Sequence, residues 1–149
     1  MAILMDRHTA VIVQGITGKE GQRITQSMLE YGTHVLGGVR PGKAGERVFG
    51  VPVFDSVRDV LAVVPSVNAS VITVPPFAAK DAIMEAIAKG IPLVSVLVER
   101  MPIHDAAYCI AAACERGVRL IGPSSLGLVS PGVGRIGVVG GPRALADEI

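Results

Sequence analysis

Apolar runs of strand length alternate with helix-period stretches along most of the chain. Residues 10–14 (Ala-Val-Ile-Val-Gln) form a short β-branched run that ends in a glycine-rich turn. Residues 19–30 then place Ile24 and Met28, with Tyr31 just beyond, on one stripe of an amphipathic helix. A second strand is expected over 34–39, followed by a Gly/Pro-rich loop from 40 to 50. Residues 55–64 predict a short helix capped by Ser56, with Asp59 three residues on. Residues 69–74 predict a strand stopped by Pro75 and Pro76, and 79–89 a helix ending at Gly90. The run 93–98 is almost unbroken apolar, as a strand covered on both faces requires. A helix over 105–116, with Gly117 past its end, and a strand over 118–121 complete the series.

Five strands separated by helices predict an α/β domain, a Rossmann-like doubly wound parallel sheet. The helices carry small residues (Ala82, Ala86, Ala106, Ala113) that let them lie close on a sheet. After residue 121 the texture changes. Residues 122–141 are rich in Gly, Pro, Ser and Val, and they predict a loop followed by a short hairpin around 135–139. The remaining residues, to Ile149, resemble the start of another helix. The expected division is therefore a core over 1–121 and, over 122–149, a loop, a hairpin and the opening of a second domain.

Composition narrows the function classes. With 149 residues, half of them hydrophobic and 18% charged, the chain has the apolar surface for one well-packed core. A net charge of +1, no Trp and 3% aromatics argue against a nucleic-acid binder built on charge and stacking. The most apolar stretch, 91–98, is broken by Pro92 and Ser95 and falls far short of the roughly 20 residues a membrane helix needs. Cys109 and Cys114 form neither a CxxC motif nor a disulfide framework, so a reduced, cytoplasmic setting is expected. The apolar composition also leaves room for a homo-oligomer.

The turn Gly15-Ile16-Thr17-Gly18-Lys19-Glu20-Gly21 joins the first strand to the first helix. In a parallel α/β sheet, ligands bind off the carboxyl ends of the strands, where a helix N-terminus offers free amides to an anion. The spacing is Gly-x-x-Gly-x-x-Gly, not the dinucleotide Gly-x-Gly-x-x-Gly. The same residues also read as a capping box, Thr17 at the N-cap and Glu20 at N3, which only starts a helix well. Glu20 beside a phosphate needs neutralising, a task within reach of Lys19. After the second strand no carboxylate occurs until Glu46, whereas Arg40, Lys43 and Arg47 stand nearby. Basic residues there suit a phosphorylated ribose, as in coenzyme A or NADP, and disfavour plain NAD. A solvated basic loop is the structural alternative.

Specific runs sharpen this picture. Val-Gln-Gly-Ile-Thr-Gly-Lys-Glu-Gly (13–21), Tyr-Gly-Thr (31–33), Gly-Gly-Val-Arg-Pro-Gly-Lys (37–43) and Gly-Val-Pro-Val-Phe (50–54) resemble the α subunit of succinyl-CoA synthetase. The likeness continues through Ser-Val-Ile-Thr-Val-Pro-Pro-Phe (70–77), Glu-Ala-Ile (85–87), Ile-Gly-Pro-Ser-Ser-Leu-Gly (121–127), Ser-Pro-Gly (130–132) and Ile-Gly (136–137). Malate–CoA ligase and ATP-citrate lyase share the pattern. The resemblance implies an N-terminal domain that binds coenzyme A. It implies coenzyme contacts from Gly15, Thr17, Gly18, Lys19, Glu20 and Gly21, from Val39, Pro41 and Lys43, and from Val96, Leu97 and Val98.

The chain departs from the family pattern at Glu20, where the family has Gln or Asp, and in two further segments. Val96-Leu97-Val98-Glu99-Arg100 stands where the family has Thr-Ile-Thr-Glu-Gly, and Gly122-Pro123-Ser124-Ser125-Leu126-Gly127 where it has Gly-Pro-Asn-Cys-Pro-Gly. The family makes its thioester through a phosphorylated histidine of a second domain, with a nucleotide-binding β subunit as partner. His8, His34 and His104 match no such motif and have no metal-like spacing, and Ser124 and Ser125 lack a Gly-x-Ser-x-Gly frame, so no catalytic or metal residue is assigned. Three readings follow: the CoA-binding domain of an acid–CoA ligase, a stand-alone CoA-binding module, or an NADP-binding domain.

Overall fold

A computed structural model describes residues 3–142. Nine strands and four helices follow in the order β1 (Ala10–Gln14), α1 (Lys19–Tyr31), β2 (His34–Val39), β3 (Arg47–Val48), β4 (Val51–Phe54), α2 (Val57–Val63), β5 (Ala69–Ile72), α3 (Ala79–Ala88), β6 (Leu93–Val96), α4 (Ile103–Glu115), β7 (Arg119–Ile121), β8 (Gly127–Ser130) and β9 (Gly134–Gly137). Seven strands make one sheet, ordered β3-β4-β2-β1-β5-β6-β7. All its pairings are parallel except β3 with β4 at one edge. From β1 the chain moves outward to β2 and β4, then returns to β5 on the other side of β1. The reversal between β1 and β5 opens the sheet at its centre.

The core lies on both faces of this sheet, which explains the unbroken apolar strands. Ile12, Ile72, Val94 and Val96 pack toward Val57 and Val60 of α2, Ile83 and Ile87 of α3, and Cys109 and Ala113 of α4. Val11, Val13 and Val71 pack with Ile24 and Met28 of α1 and Ile136 of β9. Strand alternation thus sorts neighbouring residues into two separate clusters. Among the described residues no helix is long and apolar enough to cross a membrane.

The doubly wound sheet forms as expected, with two strands more than the pattern predicted. The expected loop over 40–50 contains β3, and β4 follows directly. β4 accommodates Pro52 because its parallel ladder with β2 covers only Val53 and Phe54, and Pro52 faces the short edge strand β3. The ladders of β5 and β6 stop two residues earlier than their apolar runs. Thr73 and Val74, and likewise Leu97 and Val98, leave the sheet to face a cleft.

Helix caps divide into one success and one correction. Ser56 caps α2, accepting from the Asp59 amide at 3.1 Å and donating to the Asp59 carboxylate at 2.7 Å. The capping box at 17–20 does not form. Gly18 is the N-cap of α1 and no side chain caps it. Glu20 instead turns outward to Arg23, 2.9 Å away. The expected hairpin is β8 paired with β9, and it ends at Gly137 rather than 139. The expected helix start beyond residue 142 lies outside the described residues.

Candidate functional site

A cleft of about 600 Å³ opens at the carboxyl ends of β1, β5 and β6, on the reversal point of the sheet. One wall is the turn after β1 and the start of α1. Gly15 crosses under β5 with φ +90°, and a Cβ there would sit 2.9 Å from Thr73 Oγ1 and 3.0 Å from the Val74 nitrogen. Gly21, in the first turn of α1, presses on the same loop: its Cβ would meet the Gly15 carbonyl oxygen at 2.1 Å. These two glycines let α1 aim its first turn at the cleft. The Gly15 amide donates to the Val39 carbonyl at 2.9 Å, tying the loop to β2.

Below the loop, a buried polar pair sets the end of β1. The Gln14 side chain accepts from Ser70 at 2.8 Å and donates to the Ala82 carbonyl at 3.0 Å. Its backbone carbonyl accepts from the Thr73 hydroxyl at 2.9 Å. Gln14 is 2% exposed, so every bond it makes is shielded from water and holds β1 against β5 firmly.

With Gly18 as a bare cap, the amides of Lys19, Glu20 and Gly21 have no partner among the described residues. They sit at the positive end of a 13-residue helix, where an anion gains about 0.3–2 kcal/mol. Glu20 does not oppose such an anion alone. Arg23, rather than the expected Lys19, neutralises it, and both side chains are more than half exposed.

The facing wall comes from the ends of β5 and β6 and from the segment after β7. Val74, Leu97, Val98, Leu126 and Val138 make it largely apolar. Ser124 holds a left-handed φ of +58° because its amide donates to the Val98 carbonyl at 2.9 Å. The hairpin behind this segment is pinned to α1 by Arg135, which is 4% exposed. Its guanidinium donates to the Ser27 carbonyl and hydroxyl and to the carbonyls of Val139 and Gly141, and it lies 5.1 Å from the Tyr31 ring centre.

Of the residues expected from the sequence, the cleft brings together Gly15, Gly18, Lys19, Glu20, Leu97 and Val98. Thr17, Gly21, Val39, Pro41, Lys43 and Val96 lie outside its lining, Gly21 and Val39 acting on the loop from behind. Lys43 is exposed and paired with Glu46 at 3.1 Å. Arg40, one of the basic residues weighed for a ribose phosphate, lines the cleft too, and the structure adds Arg23, Thr73 and the 124–126 segment. Arg23 was readable from its position three residues after Glu20 on a helix. Thr73 and Val138 had no local signal.

An open α/β sheet with a glycine-lined helix N-terminus at its reversal point defines a domain that binds an anionic nucleotide-type ligand. A family model described as the CoA binding domain matches residues 6–100. The chain belongs to the CoA-binding domain family, and coenzyme A is the cofactor of this domain type. The α1 amides and the cations Lys19 and Arg40, all without partners among the described residues, and the Gly15 and Gly21 cradle fit a ligand of several phosphates.

The relatives are consistent. Succinate–CoA ligase (ADP-forming) α subunit 2 of Archaeoglobus fulgidus is 47% identical over 140 residues, covering 93% of this chain and 48% of that subunit. The malate–CoA ligase α subunit of Methylorubrum extorquens is 38% identical, covering all of this chain and 51% of that one. The chain thus spans about half the length of the curated relatives it matches. ATP citrate lyase from Methanothrix soehngenii, solved with citrate and coenzyme A, shares the fold with a TM-score of 0.82 at 23% identity, over 93% of this chain and 24% of that one.

Proposed function

We propose that this chain holds coenzyme A for an acid–CoA ligase of the succinate–CoA ligase type. In this reading the domain supplies the coenzyme, and thioester formation takes place with a further α-subunit domain and a nucleotide-binding β subunit. A cytoplasmic setting belongs to the same reading, supported by two cysteines that are both free thiols. The observation that carries it is the uncapped α1 N-terminus opening into the cleft. There the amides after Gly18, together with Thr17 and Lys19, take the diphosphate, and Gly15 and Gly21 let it approach the backbone. Leu97 and Val98 offer apolar contact to the uncharged parts of the coenzyme, with Val96 behind them. Val39 and Pro41 shape the end of β2, on the ribose side, and Lys43 stands in the loop beyond them, paired with Glu46.

A calorimetric titration tests the reading directly. Coenzyme A is expected to bind with micromolar or tighter affinity, and NAD far more weakly. Binding of NADP with no binding of coenzyme A would overturn the proposal in favour of an oxidoreductase domain.

A further inference from the structure

Three basic side chains follow β2 within eight residues, and the structure gives them three different situations. Lys43 is held by Glu46 at 3.1 Å and stays off the cleft. Arg47 spends its guanidinium on the Gly50 carbonyl, 2.8 Å away, at the edge pair β3–β4. Arg40 alone of the three lines the cleft, and its guanidinium has no partner among the described residues.

Position matters as much as freedom. Arg40 is the first residue past β2, the strand beside β1, and its amide is fixed to the Phe54 carbonyl at 2.9 Å. Neighbouring strands lie about 4.8 Å apart. A ligand whose diphosphate rests on α1 therefore presents its ribose to the end of β2. A carboxylate at that place selects unmodified ribose hydroxyls, and an arginine accommodates a ribose phosphate. The carboxylates of this region are committed elsewhere. Asp55 accepts from the amides of Gly42 and Ala44, at 2.8 and 3.3 Å, and Glu46 is taken by Lys43.

We infer that Arg40 is the specificity-determining residue of the cleft, reading a phosphate on the ligand's ribose, while Lys43 does not take part in the discrimination. The inference rests on the coenzyme reading above and narrows it to one side chain. Arginine suits the task because its planar fork can grip two phosphate oxygens at once.

The experiment is a titration of the full chain, Arg40→Gln and Lys43→Gln, each with coenzyme A and with 3′-dephospho-coenzyme A. The wild-type chain should prefer coenzyme A by about tenfold or more, the range of a charge-assisted bond. Arg40→Gln should erase that preference by weakening coenzyme A alone, with dephospho-coenzyme A unchanged. Lys43→Gln should keep the preference within about twofold. Because Arg40 is exposed, its replacement should leave the melting temperature in place, and Arg40→Lys should restore part of the preference. A wild-type chain that binds both ligands equally, or a preference lost in Lys43→Gln and kept in Arg40→Gln, overturns the inference while the coenzyme reading stands. No binding of either ligand removes the coenzyme reading, and the role of Arg40 with it.

Discussion

The two walls of the cleft are built on opposite principles. The α1 wall is made of backbone: glycines remove side chains so that a loop, a strand end and a helix can touch, and the binding groups are amides fixed by the helix itself. The facing wall joins the ends of β5 and β6 to a segment outside the seven-stranded sheet, which is held by one buried arginine, by Ile136 packed against α1 and by amide bonds to the end of β6. The first wall is part of the core. The second is attached to it. Substitutions at the glycines of the first wall should therefore destabilise the whole domain, and those that loosen the hairpin behind the second should only release the cleft.

The largest effect should come from Gly21→Ala. Alanine in a helix interior is worth about 1 kcal/mol over glycine. Here the added Cβ would lie 2.1 Å from the Gly15 carbonyl oxygen, a backbone atom that cannot rotate away. Displacing α1 from the sheet should cost about 3 kcal/mol or more, so the clash wins and net stability falls by about 2 kcal/mol. A urea unfolding curve would show the midpoint move down with the slope unchanged. Equal or higher stability would mean that α1 can slide without loss, against the idea of a rigid wall.

Arg135→Met should cost less, and in a different place. It removes the donors to Ser27, Val139 and Gly141 and the contact with Tyr31, at about 1–2 kcal/mol. Hydrogen exchange should quicken over 127–137 while β1 and β5 stay protected. Cys109 gives a second readout: it is fully buried on the inner face of α4, and burial raises its thiol pKa, the neighbouring Lys80 opposing this only in part. The raised value keeps it protonated and unreactive at neutral pH, while the exposed Cys114 labels first. Arg135→Met should leave Cys109 as protected as in the wild type, and Gly21→Ala should expose it. Equal Cys109 labelling in the two variants would erase the distinction between the walls.

The same contrast explains which parts were legible in the sequence. The α1 wall could be read because glycine spacing, a β-branched run and a 3.6-residue stripe are all local signals. Even there, the hydroxyl of Thr17 suggested a cap where the bare Gly18 serves, since capping preference ranks side chains without knowing what the loop must approach. The facing wall depends on contacts between residues far apart in sequence. Arg135 reaches Ser27 across 108 positions, and Thr33 bonds the backbone of Arg135 across 102. No periodicity encodes such a meeting. Strand β4 was hidden for another reason: it is four residues long with a proline inside it, and its ladder with β2 covers only Val53 and Phe54.

The smallest effect concerns charge at the mouth of the first wall. Glu20 lies in the first turn of α1, where the helix dipole favours it and an incoming phosphate does not. Its pairing with Arg23 is exposed on both sides, so Glu20→Gln should change stability by no more than about 0.5 kcal/mol. Binding should respond more than folding, because the substitution removes a like charge and frees Arg23 for the ligand. Coenzyme A affinity should rise about two- to fivefold at low ionic strength, and the gain should fade near roughly 0.5 M salt as screening shortens to a few ångströms. A salt-independent loss of affinity would instead make Glu20 a direct contact, and the α1 wall would then bind through a side chain as well as through its backbone.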